Sequence, residues 1–250
     1  MRRYTSTPSA LLGLATMLLV AGCGHRARTV YVPPPPPVTA PAPAPGIAES
    51  TIPPPAAPAT GEGAAVSRAP IYSEVGMASW YGPPYNLRRG ANGEVYDQNA
   101  ISAAHRTLPM GSLIRVTNLQ TGQTAIMRIT DRGPFVPDRV IDLSVGAAKA
   151  VGVWRPGTAR VRIDVYEAPK PIAQGGRWCV QIGAFSHEHE AKKLEEHLER
   201  KYQTANVIEF TGPTGHWVRI RPANDDRGRA DEIARELSPK EGEAYLVRLD

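Results

Sequence analysis

Between residues 74 and 166 the apolar residues come in short runs rather than at helical spacing. "EVGMASWYG" (74–82), "GSLIRVTNL" (111–119), "TAIMRIT" (124–130), "RVIDLS" (139–144) and "TARVRIDVY" (158–166) are rich in β-branched or aromatic residues and end at turn formers, the pattern of short strands. "LQTGQ" between the second and third runs reads as a hairpin turn. One segment has helical character: "SVGAAKAVG" (144–152), with Ser144 as N-cap and Gly152 closing it. Many short strands and little helix predict a closed β-barrel, because closure removes exposed edges.

After residue 178 the pattern changes. "RWCVQIGAF" is strand-like, and "SHEHEAKKLEEHLERKYQ" (186–203) is an amphipathic helix with Ser186 as N-cap and acids in its first turn. Its apolar face is Ala191, Leu194 and Leu198, with His197 beside them. "NVIEFT" and "HWVRIRP" read as strands. "RGRADEIAREL" (227–237) is a second helix with Ala230, Ile233, Ala234 and Leu237 on one face, and "EAYLVRL" is a last strand. The order βαββαβ predicts an antiparallel sheet with helices on one side. "EAPKPIAQGGR" (167–177) carries two Pro and two Gly among few apolar residues and separates the two patterns as a linker. This gives domains at 74–166 and 178–250, each within the size range of independently folding units.

The first 73 residues are of another kind. Arg2 and Arg3 precede an apolar run, Leu11–Val20, too short to span a bilayer, and "AGC" follows it. That is a secretory signal (1–22) rather than a membrane-spanning helix. From Val32 to Thr60 the composition collapses, with twelve of the 25 prolines between Pro33 and Pro58. Such a stretch favours extended polyproline II and, at about 3.1 Å per residue, reaches on the order of 80 Å. We read 23–73 as a disordered tether.

Composition narrows the functional classes. The formal charge is +5, with the bases spread out and no basic stripe interleaved with aromatics. Nucleic acid is therefore not an expected partner, whereas a polyanionic envelope polymer is compatible. No CxxC, HExxH, P-loop or GxSxG motif occurs. His187 and His189 of "HEHE" lie two apart, so on a helix they point apart and cannot share a metal. Neither a metal nor a cofactor is expected. Of the two cysteines, Cys179 lies in an apolar run and reads as a buried thiol.

Several motifs together carry a family resemblance. "LVAGC" resembles a bacterial lipobox, with Cys23 lipidated and Gly24 after it pointing to the outer membrane. "GMASWYG", "ANGEVYD", "AAHRTLP", "VTNL" and "DRGPF…R.IDLS" occur together in order. This set resembles the rare lipoprotein A (RlpA) family, whose fold is a six-stranded double-psi β-barrel. The C-terminal part, "RWCVQIGAF" followed by the βαββαβ order, resembles a SPOR domain, a module that binds septal glycan strands stripped of their peptides. Two departures stand out: Gly90 occupies a place where the family often has Thr, and Arg221 precedes Pro222 where SPOR domains usually have Gly.

The resemblance implies an endolytic lytic transglycosylase that cleaves the MurNAc-β-1,4-GlcNAc bond of peptide-free glycan and leaves 1,6-anhydro ends. It implies an outer-membrane lipoprotein facing the periplasm and enriched at the division septum, with divisome proteins or amidases as neighbours. It places Glu94, His105 and Asp131 along the barrel groove as catalytic candidates. Asp131 is the expected general acid/base, with Glu94 as the partner carboxylate and His105 as an orienting group. Strand geometry turns Arg128, Thr130 and Arg132 away from Asp131, so burial or Glu94 would be free to raise its pKa. Tyr81, Tyr85 and Asn92 are barrel candidates for sugar contact, and Trp80 reads as core. Gln181, Phe185, Trp217 and Arg219 are the SPOR candidates, since amide and guanidinium groups suit sugar hydroxyls. Two other readings use the same residues. The barrel could bind glycan without cutting it, with Asp131 capping a turn, or the chain could simply link outer membrane and wall.

Overall fold

A computed structural model describes residues 68–204, 206–212, 215–237 and 243–250. The signal, Cys23 and nearly all of the Pro-rich tether lie outside the described residues. The described residues belong to one compact unit, and no helix among them is long and apolar enough to cross a membrane.

Strands β1 (Tyr72–Tyr81), β2 (Ser102–His105), β3 (Leu113–Asn118), β4 (Thr124–Asp131), β5 (Arg139–Ser144) and β6 (Ala159–Glu167) close a barrel in the order β1-β5-β2-β4-β3-β6. The β1–β5 and β2–β4 pairs are parallel, and the other four are antiparallel. Five strands coincide with the alternating runs. β2, "SAAH", does not, because all four of its residues are buried and it shows no alternation. The interior is filled by Ile114, Val116, Ile129, Ile141, Leu143, Val161, Ile163 and Val165, all fully buried. β1 begins at Tyr72, two residues before the run read from the sequence.

Helix α1 (Val145–Ala150) follows β5 directly, and Ser144 caps it. The buried Ser144 hydroxyl accepts from Ala147 N (3.0 Å) and Ser102 N (3.3 Å) and donates to Ala100 O. One hydroxyl thus joins β5, α1 and the strand β2. Ser144→Ala is expected to cost roughly 1–3 kcal/mol, because an N-cap and a buried hydrogen-bonded group are lost together. A denaturant midpoint measurement checks this.

The second domain comprises β7 (Trp178–Phe185), α2 (Glu188–Lys201), β8 (Asn206–Gly212), β9 (Gly215–Arg221), α3 (Arg227–Glu236) and β10 (Ala244–Arg248). Its antiparallel sheet has the order β10-β7-β9-β8. Trp178, Val180, Ile182, Val218 and Ile220 face the helices and pack on Ala191, Leu198, Ala230 and Ile233. Three local expectations are corrected. His187, not Ser186, occupies the N-cap of α2, and it makes no side-chain cap. His197 is exposed rather than on the packed face. His187 has extended backbone (φ −126°, ψ 134°), so its ring stacks on that of His189 at 5.6 Å instead of pointing apart. Among the described residues no cluster of His, Cys, Asp or Glu is placed to hold a metal.

Candidate functional site

Asp131 ends β4, and its neighbours come from two directions. The loop 90–95 folds over it: Ala91 N donates to Asp131 Oδ1 at 2.9 Å and Asn92 N to Thr130 O at 3.2 Å. Arg132 N donates to the same Oδ1 at 2.8 Å. The two N–H groups share one oxygen, and Oδ2 takes no hydrogen bond from the described residues.

Neither flanking arginine pairs with this carboxylate. Arg128 donates to Gly111 O and lies 3.8 Å from Glu167. The Arg132 guanidinium donates to the carbonyls of His105, Leu108 and Asp250. Burial is the main influence on Asp131 and raises its pKa above the ordinary carboxylate range. The two N–H bonds and the charge of Arg132 oppose that rise, and Asp142 adds to it.

Asp142 is the acid that the sequence reading passed over. Ala104 in β2 pairs with Asp131 on one side and with Asp142 on the other. Strand spacing sets the two acids roughly 10 Å apart at their Cα atoms. Gly133 (φ +142°) leaves the space beside them open: a Cβ there would lie 3.9 Å from both Ala104 Cβ and Asp142 Oδ2. Asp142 accepts from Ser79 Oγ at 2.6 Å and lies 3.7 Å from Arg139. Burial holds its pKa above the usual range against the pull of Arg139 and Ser79. The available signal was an acid in the middle of an apolar strand, "RVIDLS", since unpaired Asp is seldom buried.

Residues 73–163 match the family model described as "Lytic transglycolase", and residues 174–248 match the one described as "SPOR domain". The chain is thus similar to RlpA proteins over both of these domains. Three of the relatives that carry the name endolytic peptidoglycan transglycosylase RlpA show the extent of the likeness. The one from Vibrio cholerae is 36% identical over 162 residues, 62% of this chain and 61% of that one. The one from Pseudomonas aeruginosa (strain UCBPP-PA14) is 41% identical over 157 residues, 62% of this chain and 46% of that one. The one from Campylobacter jejuni is 41% identical over 143 residues, 48% of this chain and 52% of that one. The chain thus spans about half the length of these relatives.

The other candidate residues are distributed unevenly around Asp131. Glu94 is exposed. Its carboxylate accepts from Asn92 Nδ2 at 2.7 Å, and it makes no contact with Asp131. The expectation that Glu94 raises the pKa of Asp131 is corrected: burial and Asp142 do so. The reason is geometric, since the loop meets Asp131 through the backbone of Ala91 and leaves Glu94 on the rim. A side chain at position 90 would press on Thr130 O (3.2 Å) and lie 3.7 Å from the Asp131 carboxyl carbon. Gly90 therefore leaves that corner open.

His105 is 4% exposed. Its Nδ1 accepts from Thr107 N (3.1 Å) and Leu108 N (3.0 Å), which puts the proton on Nε2, 2.6 Å from Glu74 Oε1. Burial works against the charge of Glu74, but its bonds to His105 and Tyr72 hold its pKa below the ordinary value. Tyr81 stacks on Tyr96 (4.5 Å between centroids) and meets Tyr85 edge-on at 5.7 Å. Burial, followed by the charge of Asp131, raises the pKa of both Tyr81 and Tyr96. This aromatic wall flanks the acid, and the sequence reading had missed Tyr96. Trp80 packs on the barrel core.

In the SPOR domain Gln181 and Trp217 are buried, at 3% and 8% exposure. Arg219 Nη2 donates to Gln181 Oε1 at 2.8 Å. Phe185 is separated from them. The register shifts between Gly183 and Phe185, and Phe185 packs with the helix-side core.

Proposed function

We propose that this chain is an endolytic peptidoglycan lytic transglycosylase acting on peptide-free glycan at the division septum, anchored in the outer membrane through lipid on Cys23 and facing the periplasm. The observation that carries the reading is Asp131: a carboxyl of raised pKa at a strand end, with one oxygen fixed by two N–H groups and the other free for a proton. A lytic transglycosylase needs one such group. Protonated Asp131 gives its proton to the glycosidic oxygen as the C1–O4 bond breaks through an oxocarbenium-like transition state. The sugar's own C6 hydroxyl closes on C1, and the Asp131 carboxylate takes the proton released. No water is consumed, and the acid is regenerated. Tyr81 and Tyr96 keep the acid partly desolvated, while Glu94 and Asn92 on the rim are placed to meet substrate hydroxyls. The SPOR domain supplies affinity for denuded strands, and divisome proteins or amidases are its expected neighbours at the septum.

The second reading, a glycan-binding lipoprotein without activity, is favoured by the same Oδ1 contacts, because two N–H bonds are also what a turn-capping Asp receives. Product analysis separates the two. Soluble glycans with anhydro ends released from amidase-treated sacculi establish the transglycosylase. Reducing ends would mean a hydrolase, and binding without release would mean the binding protein.

The acid's protonation gives a pH prediction. Activity needs Asp131 protonated at the start of the cycle, so it declines as pH rises through the pKa of Asp131. Asp142→Asn removes a nearby negative charge that raises this pKa. The charged form of Asp131 then becomes easier to reach, and the alkaline fall in activity moves to lower pH. A pH–rate profile of both chains checks the sign.

A further inference from the structure

The SPOR sheet has two faces, and only one packs on helices. The other carries Cys179, Gln181, Trp217, Arg219, Tyr245 and Val247, as the two-residue alternation requires. On an isolated four-stranded sheet this face would be open to solvent. Here Cys179 and Val247 are fully buried and Tyr245 is 9% exposed. The barrel covers them. Phe135, four residues after Asp131, lies 5.2 Å from the ring of Trp217 and 5.8 Å from that of Tyr245, edge-on to both. It belongs to the same apolar cluster as Cys179 and Val247. Arg106 adds its guanidinium over Tyr245 at 5.4 Å and ties the loop by donating to Pro134 O at 2.9 Å.

A second set of contacts lies at the end of β10. Arg248 N donates to Arg106 O (2.9 Å), Met110 N to Asp250 O (3.2 Å), and Leu249 N to Arg177 O (2.7 Å). Arg132 Nη2 donates to Asp250 O at 2.8 Å. Lys170 and Arg248 pair with the Asp250 carboxylate. These are backbone and ionic bonds that bind the tail 248–250 to the barrel and the linker. The ring contacts of Phe135 are of another sort: they involve no backbone hydrogen bond or ion pair, and they are made by a side chain on a loop, 132–138, that has no regular structure.

We propose that the loop 132–138 is an intramolecular latch. With Phe135 seated on Trp217 and Tyr245, the chain holds the sheet face of its own SPOR domain shut, and a glycan strand must displace Phe135 to reach Gln181 and Arg219. The inference rests on reading that face as glycan-binding. Its consequence is coupling. The loop that leaves the sheet is the one that follows Asp131, so capture of a strand by the SPOR domain frees the segment beside the acid. The two events share one element with two positions. Apparent affinity for glycan falls by the fraction of molecules that are open.

The test uses the full chain carrying Cys23→Ser, in which Cys179 is the remaining thiol of the two in the sequence. Two readings are taken on this chain and on its Phe135→Ala version: the rate of Cys179 reaction with a neutral thiol reagent, and cosedimentation with peptide-free sacculi. The latch predicts that Phe135→Ala raises both, by roughly tenfold for a latch open about a tenth of the time. It also predicts that adding Gln181→Ala removes the gain in binding. Unchanged thiol reactivity overturns the latch. Faster reaction with equal, strong binding by both chains also overturns it, because the covered face is then not where glycan enters. Faster reaction with no binding by either chain overturns the glycan-binding reading on which the proposal rests, and the thiol result marks that case apart. If Phe135→Ala loses its circular dichroism, Arg106→Ala, which withdraws the cation from Tyr245, decides by the same two readings.

Discussion

Asp131→Asn is expected to lower the release of soluble glycan by roughly 100- to 10,000-fold, the range general acid–base catalysis supplies, with sacculus binding unchanged. The substitution is close to isosteric, and the amide oxygen can still accept from Ala91 N and Arg132 N. The fold is therefore kept while the transferable proton is lost. A thermal scan gives an independent check. Because burial raises the pKa of Asp131 in the folded chain, ionising it opposes folding at neutral pH, and the neutral amide avoids that cost. The midpoint of Asp131→Asn at neutral pH is thus expected not to fall. Glycan release at the wild-type rate would make Asp131 a turn residue and leave the binding reading standing.

His105→Ala is expected to cost about 3 kcal/mol of stability, measured as a fall of the thermal midpoint by roughly 10–20 °C. Three groups lose a partner at once. Thr107 N and Leu108 N lose the acceptor Nδ1, and Glu74 loses the 2.6 Å donor Nε2. Each buried donor left unmade costs about 1–3 kcal/mol. The same turn supplies the carbonyls of His105 and Leu108 that hold Arg132, so activity should fall as well, through the placing of the Asp131 loop. The stability reading discriminates between roles. Activity lost with an unchanged midpoint would make His105 a reacting group rather than a positioning one.

Most of the secondary structure could be read in the chain because each segment has its own local reason. The barrel strands alternate, and the hydroxyl of Ser144 starts α1. In the second domain both helices carry narrow apolar stripes that end up buried. β2 escaped notice because a four-residue strand buried on both faces carries no period. The cap of α2 was misplaced because capping preference favours Ser186, whereas the backbone enters the helix one residue later, at His187, which makes no side-chain cap.

The site divides along a similar line. Asp131 was legible through "TDRGPF", and the opposing directions of its flanking arginines followed from strand geometry alone. Its partner was not. Glu94 is the nearer carboxylate by motif, whereas Asp142 comes close only because β2 lies between β4 and β5 with Ala104 facing both acids. The pairing of His105 with Glu74 is likewise a contact across 31 residues that no local pattern announces.

By itself the sequence determined the two folds, the resemblance to a family and the candidate acid to examine, since alternation, capping and motif order are local properties of the chain. Tertiary structure alone decided which carboxylate acts on Asp131, which tautomer His105 holds and which sheet face Phe135 covers. Those depend on strand order and domain docking, which bring together residues far apart in sequence and set how much water is left around them.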